Sequence, residues 1–395
     1  MSPIMTTNLS SVELFVGAGG LAQGIAHAGF QPRLVAEWNR DACQTIRENQ
    51  ERGFAGVQDW PVIEGDVRDL TFGRFEGVDL VSGGPPCQPF SMGGKHAGYN
   101  DSRDMFPQAV RAVREARPRA FIFENVKGLT RATFRNYFEY IRLQLQYPEV
   151  THRDSEEWST HLARLEQHHL SGNRDGLTYR VVTEVLQAAD FGVPQKRERV
   201  FFVGFRRDLG VEWHFPVPTH SLQQLLYDQY VTGLYWERHG LARPEVPTRL
   251  KARVNRAHAQ AELFGGHHEA WRTVRDALAD LPDPELYPDN RFNDHRFIPG
   301  ARSYAGHTGS ALDEPSKTLK AGDHGVPGGE NMMLKPDGSV RYFTVRESAR
   351  LQTFDDDYVF SGAWGNVMRQ LGNAVPVNLA EAVAASVAAA LQPIR

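Results

Sequence analysis

Cysteine is scarce in this 395-residue chain, which has only Cys43 and Cys87. Two cysteines in unlike contexts give no disulfide framework, and they are too few for a cysteine metal site. Lysine is scarce too, at seven within a Lys+Arg total of 44. The cations are therefore mostly arginine, the better residue for bidentate contacts to phosphate and guanine. A GC-rich genome gives the same bias, and the formal net charge of −4 is a poor guide where basic residues can cluster on one face. Composition therefore decides nothing about nucleic acid. No apolar run approaches the ~20 residues of a membrane span, and Met1 to Ser10 lack a basic segment followed by an apolar one. The expectation is a cytoplasmic protein with no membrane partner. The fifteen histidines are scattered, and the adjacent pairs His168-His169 and His267-His268 cannot share a helix face, so no metal site is expected. Internal repeats and low-complexity segments are absent.

What is present is a globular composition, 41% hydrophobic and 23% charged, in a chain long enough for two domains. Its most punctuated stretch is Gly83-Gly84-Pro85-Pro86-Cys87-Gln88-Pro89-Phe90-Ser91. Such a backbone gives up regular structure and holds one side chain, Cys87, in a fixed place. The short strand expected at Val78–Ser82 puts that thiol on the loop beyond a strand's carboxyl end, where open α/β sheets bind ligands. The continuation Ser91 to Tyr99 is glycine-rich and can close over a substrate.

Earlier in the chain, the strand candidate Val12–Val16 runs into Gly17-Ala18-Gly19-Gly20-Leu21-Ala22-Gln23-Gly24 and then a helix. That is the opening of a nucleotide-cofactor βαβ unit. The next strand, Leu34–Trp38, ends in Glu37, an acid suited to ribose hydroxyls, with Trp38 beside it to stack on adenine or to serve as an ordinary core aromatic. Asp66, in Gly65–Asp69, either accepts from an adenine amino group or caps the following helix. A helix is expected over Met105–Ala116, and then a strand, Ala120–Phe123, which delivers Glu124 to the same sheet edge as Cys87.

Residues 141–175 read as surface helix and connector. The segment Gln195-Lys196-Arg197-Glu198-Arg199 precedes an apolar strand, Val200–Phe205, and places Arg197 and Arg199 on one side if extended. From about 206 to 341 apolar periodicity weakens, and a basic cluster appears at Arg249, Lys251, Arg253 and Arg256, either a solvated face or a nucleic-acid contact. Helical pattern returns at Val345–Phe354 and over Leu379–Leu391. Cys43, in the helical stretch Arg40–Glu48, reads as a buried small residue.

Six of these segments, in this order, resemble the motifs of the C5-cytosine-specific DNA methyltransferases of bacterial restriction-modification type: Phe15–Gly20, Glu37-Trp38, Gly84–Gln88, Glu124–Val126, Gln195–Arg199 and Gly372–Pro376. The resemblance covers about the first 140 residues, 179–205 and 341–395. It implies a doubly wound, Rossmann-like α/β domain that binds S-adenosylmethionine (1–205), an inserted smaller target-recognition domain (206–341) and a C-terminal segment that returns to the catalytic domain (342–395). It further implies Cys87 as the nucleophile toward cytosine C6, Glu124 as the group that holds and protonates N3, Arg199 on the base O2, and Arg197 steadying the cysteine loop or a nearby phosphate. The implied cofactor contacts are Phe15, Gly17, Gly19, Gly20, Glu37, Trp38, Asp66, Val67, Gly84, Asn373 and Ala374. Gln88 and Ser91, with the basic cluster, are expected to meet double-stranded DNA. A monomer, and a cognate restriction endonuclease encoded nearby, complete the expectation. Three alternatives stay open on the sequence: a cytosine-5 methyltransferase acting on transfer RNA, a catalytically silent DNA-binding regulator, and an NAD-dependent oxidoreductase, which leaves the Cys87 loop unexplained.

Overall fold

The structure, a computed structural model, describes residues 9–86, 104–172, 174–264, 268–288, 291–306, 308–321 and 329–392. They fall into two compact units, the first made of residues up to Leu186, Glu198–Pro216 and Ala380 onward, the second of Gln187–Arg197 and Val217–Leu379.

The first unit is built on a seven-stranded sheet whose strands are β1 (Leu9–Leu14), β2 (Phe30–Glu37), β3 (Val62–Glu64), β4 (Leu80–Gly83), β5 (Ala120–Val126), β6 (Tyr179–Gln187) and β7 (Glu198–Arg206), in the spatial order β3-β2-β1-β4-β5-β7-β6. β1 to β5 run parallel, and β7 lies antiparallel to β5. The order reverses between β1 and β4, so the chain leaves both strands at one switch point, and a crevice opens beyond their carboxyl ends.

Strand formation follows from near-continuous apolar runs such as Ala120-Phe121-Ile122-Phe123, fully buried as a parallel strand covered on both faces requires. On one face Val12, Leu14, Val81, Phe121, Phe123 and Phe202 form a single core with α3 (Phe106–Ala116), α4 (Arg135–Gln146) and α5 (Trp158–Leu170). α3 buries Phe106, Ala109, Val110, Ala112, Val113 and Ala116 along one stripe, and each fully buried Phe or Val contributes about 1.5–3 kcal/mol. The reading of 141–175 as surface helix holds only in part: Ile141, Leu143, Leu145, Tyr147 and Leu165 are core residues. α1 (Gly20–His27) packs against β2 and β4, and α2 (Arg40–Glu51), capped by Asn39, against β2 and β3. Cys43 on α2 is fully buried, its thiol pushed up to about 12 first by desolvation and then by nearby Glu37.

The second unit contains α6 (Leu222–Tyr227), α7 (Leu234–Arg238), α8 (Lys251–Phe264), α9 (Val274–Leu278), α10 (Val345–Leu351) and α11 (Trp364–Asn373). It also holds a three-stranded sheet of β10 (Ser310–Ala311), β11 (Met332–Leu334) and β12 (Val340–Tyr342), and the pair β8 (His220–Ser221) and β9 (Glu269–Ala270). By length and composition alone the stretch Trp364–Leu391 is long and apolar enough to cross a membrane. It is two helices, α11 and α12 (Val377–Leu391), separated at 374–376, and Val383, Val387 and Leu391 on α12 are fully buried within the protein.

Candidate active site

The strand registers of the first unit line up the expected residues. Gly83 pairs with Leu14 on one side and Phe123 on the other, so Phe15, Gly84 and Glu124 follow in one row beyond those positions. β2 ends at Glu37, and Arg199 at the start of β7 pairs with Val126 at the end of β5. One sheet edge thus carries residues from five strands.

At its β1 end the backbone turns through left-handed conformations at Phe15 (φ 55°), Gly17 (φ 57°) and Gly19 (φ 93°). A side chain at Gly17 meets open space but strained φ, whereas one at Gly19 meets the Trp60 ring at 3.3 Å. The Glu37 carboxylate closes this turn. Its Oε2 accepts from the Gly17 N–H at 2.7 Å, and Oε1 accepts from Trp38 at 3.0 Å and Asn39 at 2.7 Å. Glu37 is buried, and desolvation raises its pKa against those three backbone donors. Trp38 is 70% exposed, so it is no core aromatic, and its open face suits stacking on a ligand ring. Left-handed glycines, an acid at the end of the second strand and an exposed indole are what a nucleoside-bearing cofactor such as S-adenosylmethionine requires, so the residues fit it.

Asp66 accepts from the Arg68 N–H at 2.8 Å and pairs with the Arg68 guanidinium, which lowers its pKa. It caps the turn Val67–Asp69, the capping role foreseen as its alternative. The Val67 side chain is buried in the same core as Phe72 and Ala36, and its carbonyl accepts from Arg111 at 2.8 Å.

At the β5 end, Arg199 Nε lies 2.5 Å from Glu124 Oε1, with both side chains under 10% exposed. Burial lowers the Arg199 pKa and the Glu124 charge opposes that fall. A buried ion pair contributes little net stability, so its presence at a sheet edge points to chemistry. A Cβ on Gly84 stands 3.1 Å from Glu124 Oε2, and one on Gly83 stands 2.5 Å from the Leu14 carbonyl. The two glycines are therefore needed for different reasons, Gly83 for strand packing and Gly84 for the carboxylate's space. Asn125 was not singled out from the sequence, although it stands within the motif quoted for Glu124. Its buried amide donates to the Pro85 carbonyl at 3.0 Å, and Met105 N–H donates to the Pro86 carbonyl at 3.1 Å. The residues just before Cys87 are thereby pinned. Cys87, Gln88 and Ser91 themselves lie outside the described residues.

Glu13 was also missed. It is a fully buried acid of β1, facing Ser82 of β4 in register and accepting from its hydroxyl. Burial lifts its pKa to about 7, against hydrogen bonds from Ser11 and Ser82.

In the second unit Arg197 is fully buried. Nη1 donates to Leu319 O at 2.9 Å, and Nη2 to Gly372 O at 2.6 Å and Ala374 O at 2.7 Å. Arg197 and Arg199, expected to share one face, thus serve separate partners. Asn373 and Ala374 close α11, with Ala374 N–H donating back to Gln370. Lys251, Arg253 and Arg256 lie exposed on α8, whose Val254 and Ala257 are buried against Leu226 and Tyr230. Arg249, just before it, lies 3.5 Å from Glu314.

Comparison with known proteins agrees with this arrangement. The family described as C-5 cytosine-specific DNA methylase matches residues 9–147 and 161–389. The chain is 33% identical to the type II methyltransferase M.PspPI of Psychrobacter sp. over 391 residues, 95% of this chain and 77% of that protein. It is 30% identical to M.NgoMIV of Neisseria gonorrhoeae over 387 residues, 97% and 98% of the two chains. Among solved structures, the Entamoeba histolytica methyltransferase EhMeth superposes with a TM-score of 0.57 at 14% identity, covering 98% of this chain and 99% of that one. The S. pombe Dnmt2 methyltransferase superposes with a TM-score of 0.55 at 17% identity and the same coverage. These two likenesses speak to the fold. The chain belongs to the C-5 cytosine-specific DNA methylase family.

Proposed function

We propose that this member of the DNA cytosine-5 methyltransferases acts on a cytosine within a specific duplex sequence, by a covalent route through Cys87, with S-adenosylmethionine as the methyl donor. The observation that carries the reading is the Glu124–Arg199 pair, buried at the sheet edge with Glu124 in the row of Gly84, which precedes Cys87 by three residues in the chain. Cytosine C5 is a poor nucleophile, so the ring must first be activated. The Cys87 thiolate adds to C6, the C5–C6 π pair moves to C5, and Glu124 delivers a proton to N3 as the ring gains charge. Arg199 fixes the Glu124 carboxylate and presents its guanidinium to O2 of the base. Bound S-adenosylmethionine supplies an electrophilic methyl group. Once C5 is methylated, a base or water takes the C5 proton, the C5–C6 double bond re-forms as the thiolate leaves, and N3 returns its proton to Glu124.

Glu37 and the Phe15–Gly20 turn are the proposed seat of the cofactor, with Trp38 against adenine and Asn373 and Ala374 as further contacts. The Asp66 carboxylate can serve the cofactor only in competition with Arg68. Residues 206–341 are the proposed target-recognition domain, with 342–395 returning to the catalytic domain. Arg249, Lys251, Arg253 and Arg256 track the DNA phosphates. A flipped base costs a few kcal/mol, which such contacts offset. We further read the protein as a cytoplasmic monomer that protects host DNA beside a cognate restriction endonuclease, in keeping with the type II names of its relatives.

The test uses purified protein, labelled S-adenosylmethionine and duplex DNA, with transfer RNA as the competing substrate. Duplex DNA is expected to be labelled, Cys87→Ala to abolish labelling, and DNA containing 5-fluorocytosine to form a denaturation-resistant complex. Full turnover by the Cys87→Ala protein sinks the covalent route, and labelling of transfer RNA alone sinks the DNA reading.

A further inference from the structure

The resemblance sends Arg197 toward the cysteine loop or a phosphate; among the described residues its hydrogen bonds reach the backbone of other segments. The guanidinium is fully buried and its terminal nitrogens donate to three backbone carbonyls, those of Leu319, Gly372 and Ala374. Two further buried amides bind the same backbone. Gln195 Oε1 accepts from the Leu319 N–H at 3.0 Å while its Nε2 donates to Leu351 O and Gln352 Oε1, both at 3.2 Å. Gln352 in turn donates to Leu371 O and, at 3.4 Å, to Ala374 O. Packing is as tight as the hydrogen bonding: a Cβ on Gly372 stands 2.2 Å from the Ala321 nitrogen. Carbonyls at a helix end lack partners within the helix, and here the Arg197 guanidinium and the Gln352 amide satisfy those of Leu371, Gly372 and Ala374, holding the backbone on both sides of Asn373 while Gln195 holds Gln352.

We infer that Arg197, with Gln195 and Gln352, is a positioning residue for the cofactor, holding the Gly372-Asn373-Ala374 backbone in the conformation that binds S-adenosylmethionine. The inference rests on the reading of Asn373 and Ala374 as cofactor contacts. A guanidinium reaches three carbonyls at once because its donors are planar and fixed, whereas a lysine ammonium at the same site is a compact point charge on a flexible stem. Charge alone therefore does not replace it.

The experiment measures S-adenosylmethionine affinity by titration calorimetry and duplex-DNA affinity by fluorescence anisotropy, for wild type, Arg197→Lys and Gln352→Met. Steady-state KM for S-adenosylmethionine and kcat are measured alongside. Both variants are expected to weaken cofactor binding by about tenfold, as loss of supporting contacts does at preorganised sites. DNA affinity is expected to stay within about twofold, with KM for S-adenosylmethionine rising by a larger factor than kcat falls. Unchanged cofactor affinity in a folded variant, or a loss confined to DNA affinity, overturns the inference and returns Arg197 to the loop or phosphate. Should Arg197→Lys fail to fold, Gln352→Met carries the same test from the other side of the network. A wild-type chain that binds no S-adenosylmethionine overturns the functional reading itself, and the inference with it.

Discussion

Gly83 and Gly84 show how closely one residue's surroundings fix its tolerance. A methyl group at Gly83 runs into the Leu14 carbonyl, a backbone atom that cannot swing away, whereas one at Gly84 crowds a carboxylate oxygen of Glu124. Gly83→Ala is therefore expected to destabilise the protein by about 1–3 kcal/mol, the usual cost of overpacking, as read by urea denaturation. Gly84→Ala should leave the midpoint within about 1 kcal/mol of wild type. It should nonetheless slow single-turnover methylation by about tenfold or more, because Glu124 is displaced from its paired geometry. Equal stability losses in the two variants contradict this division. Neither effect was visible in the glycine pair itself, since the sequence cannot say which atom faces a missing side chain.

At the scale of elements, α8 combines an apolar stripe with exposed cations. Val254 and Ala257 anchor it, and Lys251, Arg253 and Arg256 stand exposed. If those three follow the phosphate backbone, replacing all of them with alanine weakens duplex binding. It also lowers the slope of log affinity against log salt by about 0.9 for each lost contact. Anisotropy titrations at several salt concentrations measure the slope, and an unchanged slope removes α8 from the DNA surface. Elements around the site were legible because each is a short apolar run stopped by Gly, Pro or an acid: β4 ends at Gly83, and β5 extends through Glu124 to Val126. The partners of buried polar groups were not legible. Asn125 on Pro85, Gln195 on Leu319 and Gln352 on Leu371 and Ala374 are contacts between residues far apart in the chain, and no spacing rule announces them.

For the molecule as a whole, Glu13 couples stability to pH. An unfolded glutamate titrates near 4.5, whereas Glu13 in the sheet holds its proton to about 7. The folded protein therefore binds more protons between these values. The contribution is complete below pH 4.5 and is lost as pH rises to 7, by about 3 kcal/mol at 1.36 kcal/mol per unit. Glu13→Gln is expected to remove that slope, so the stability difference between variant and wild type should grow in the variant's favour from pH 5 to 7.5. Parallel stability curves for the two proteins across that range contradict it. Composition marked residues 206–341 as distinct. By contacts the second compact unit comprises Gln187–Arg197 with Val217–Leu379, and within it Gln195 and Arg197 bind carbonyls at Leu319, Leu351, Gly372 and Ala374. The sequence by itself determined the family and the order of strands and loops, and it marked Cys87, Glu124 and Arg199 as the candidates for the chemistry, because these depend on residue type and local spacing. Only the tertiary structure decided that Arg68 occupies Asp66, that Val67 is a core residue, that Arg197 serves carbonyls, and that Glu13 is buried beside Ser82 with no cation paired to it among the described residues, because burial and pairing belong to neighbours that folding brings together.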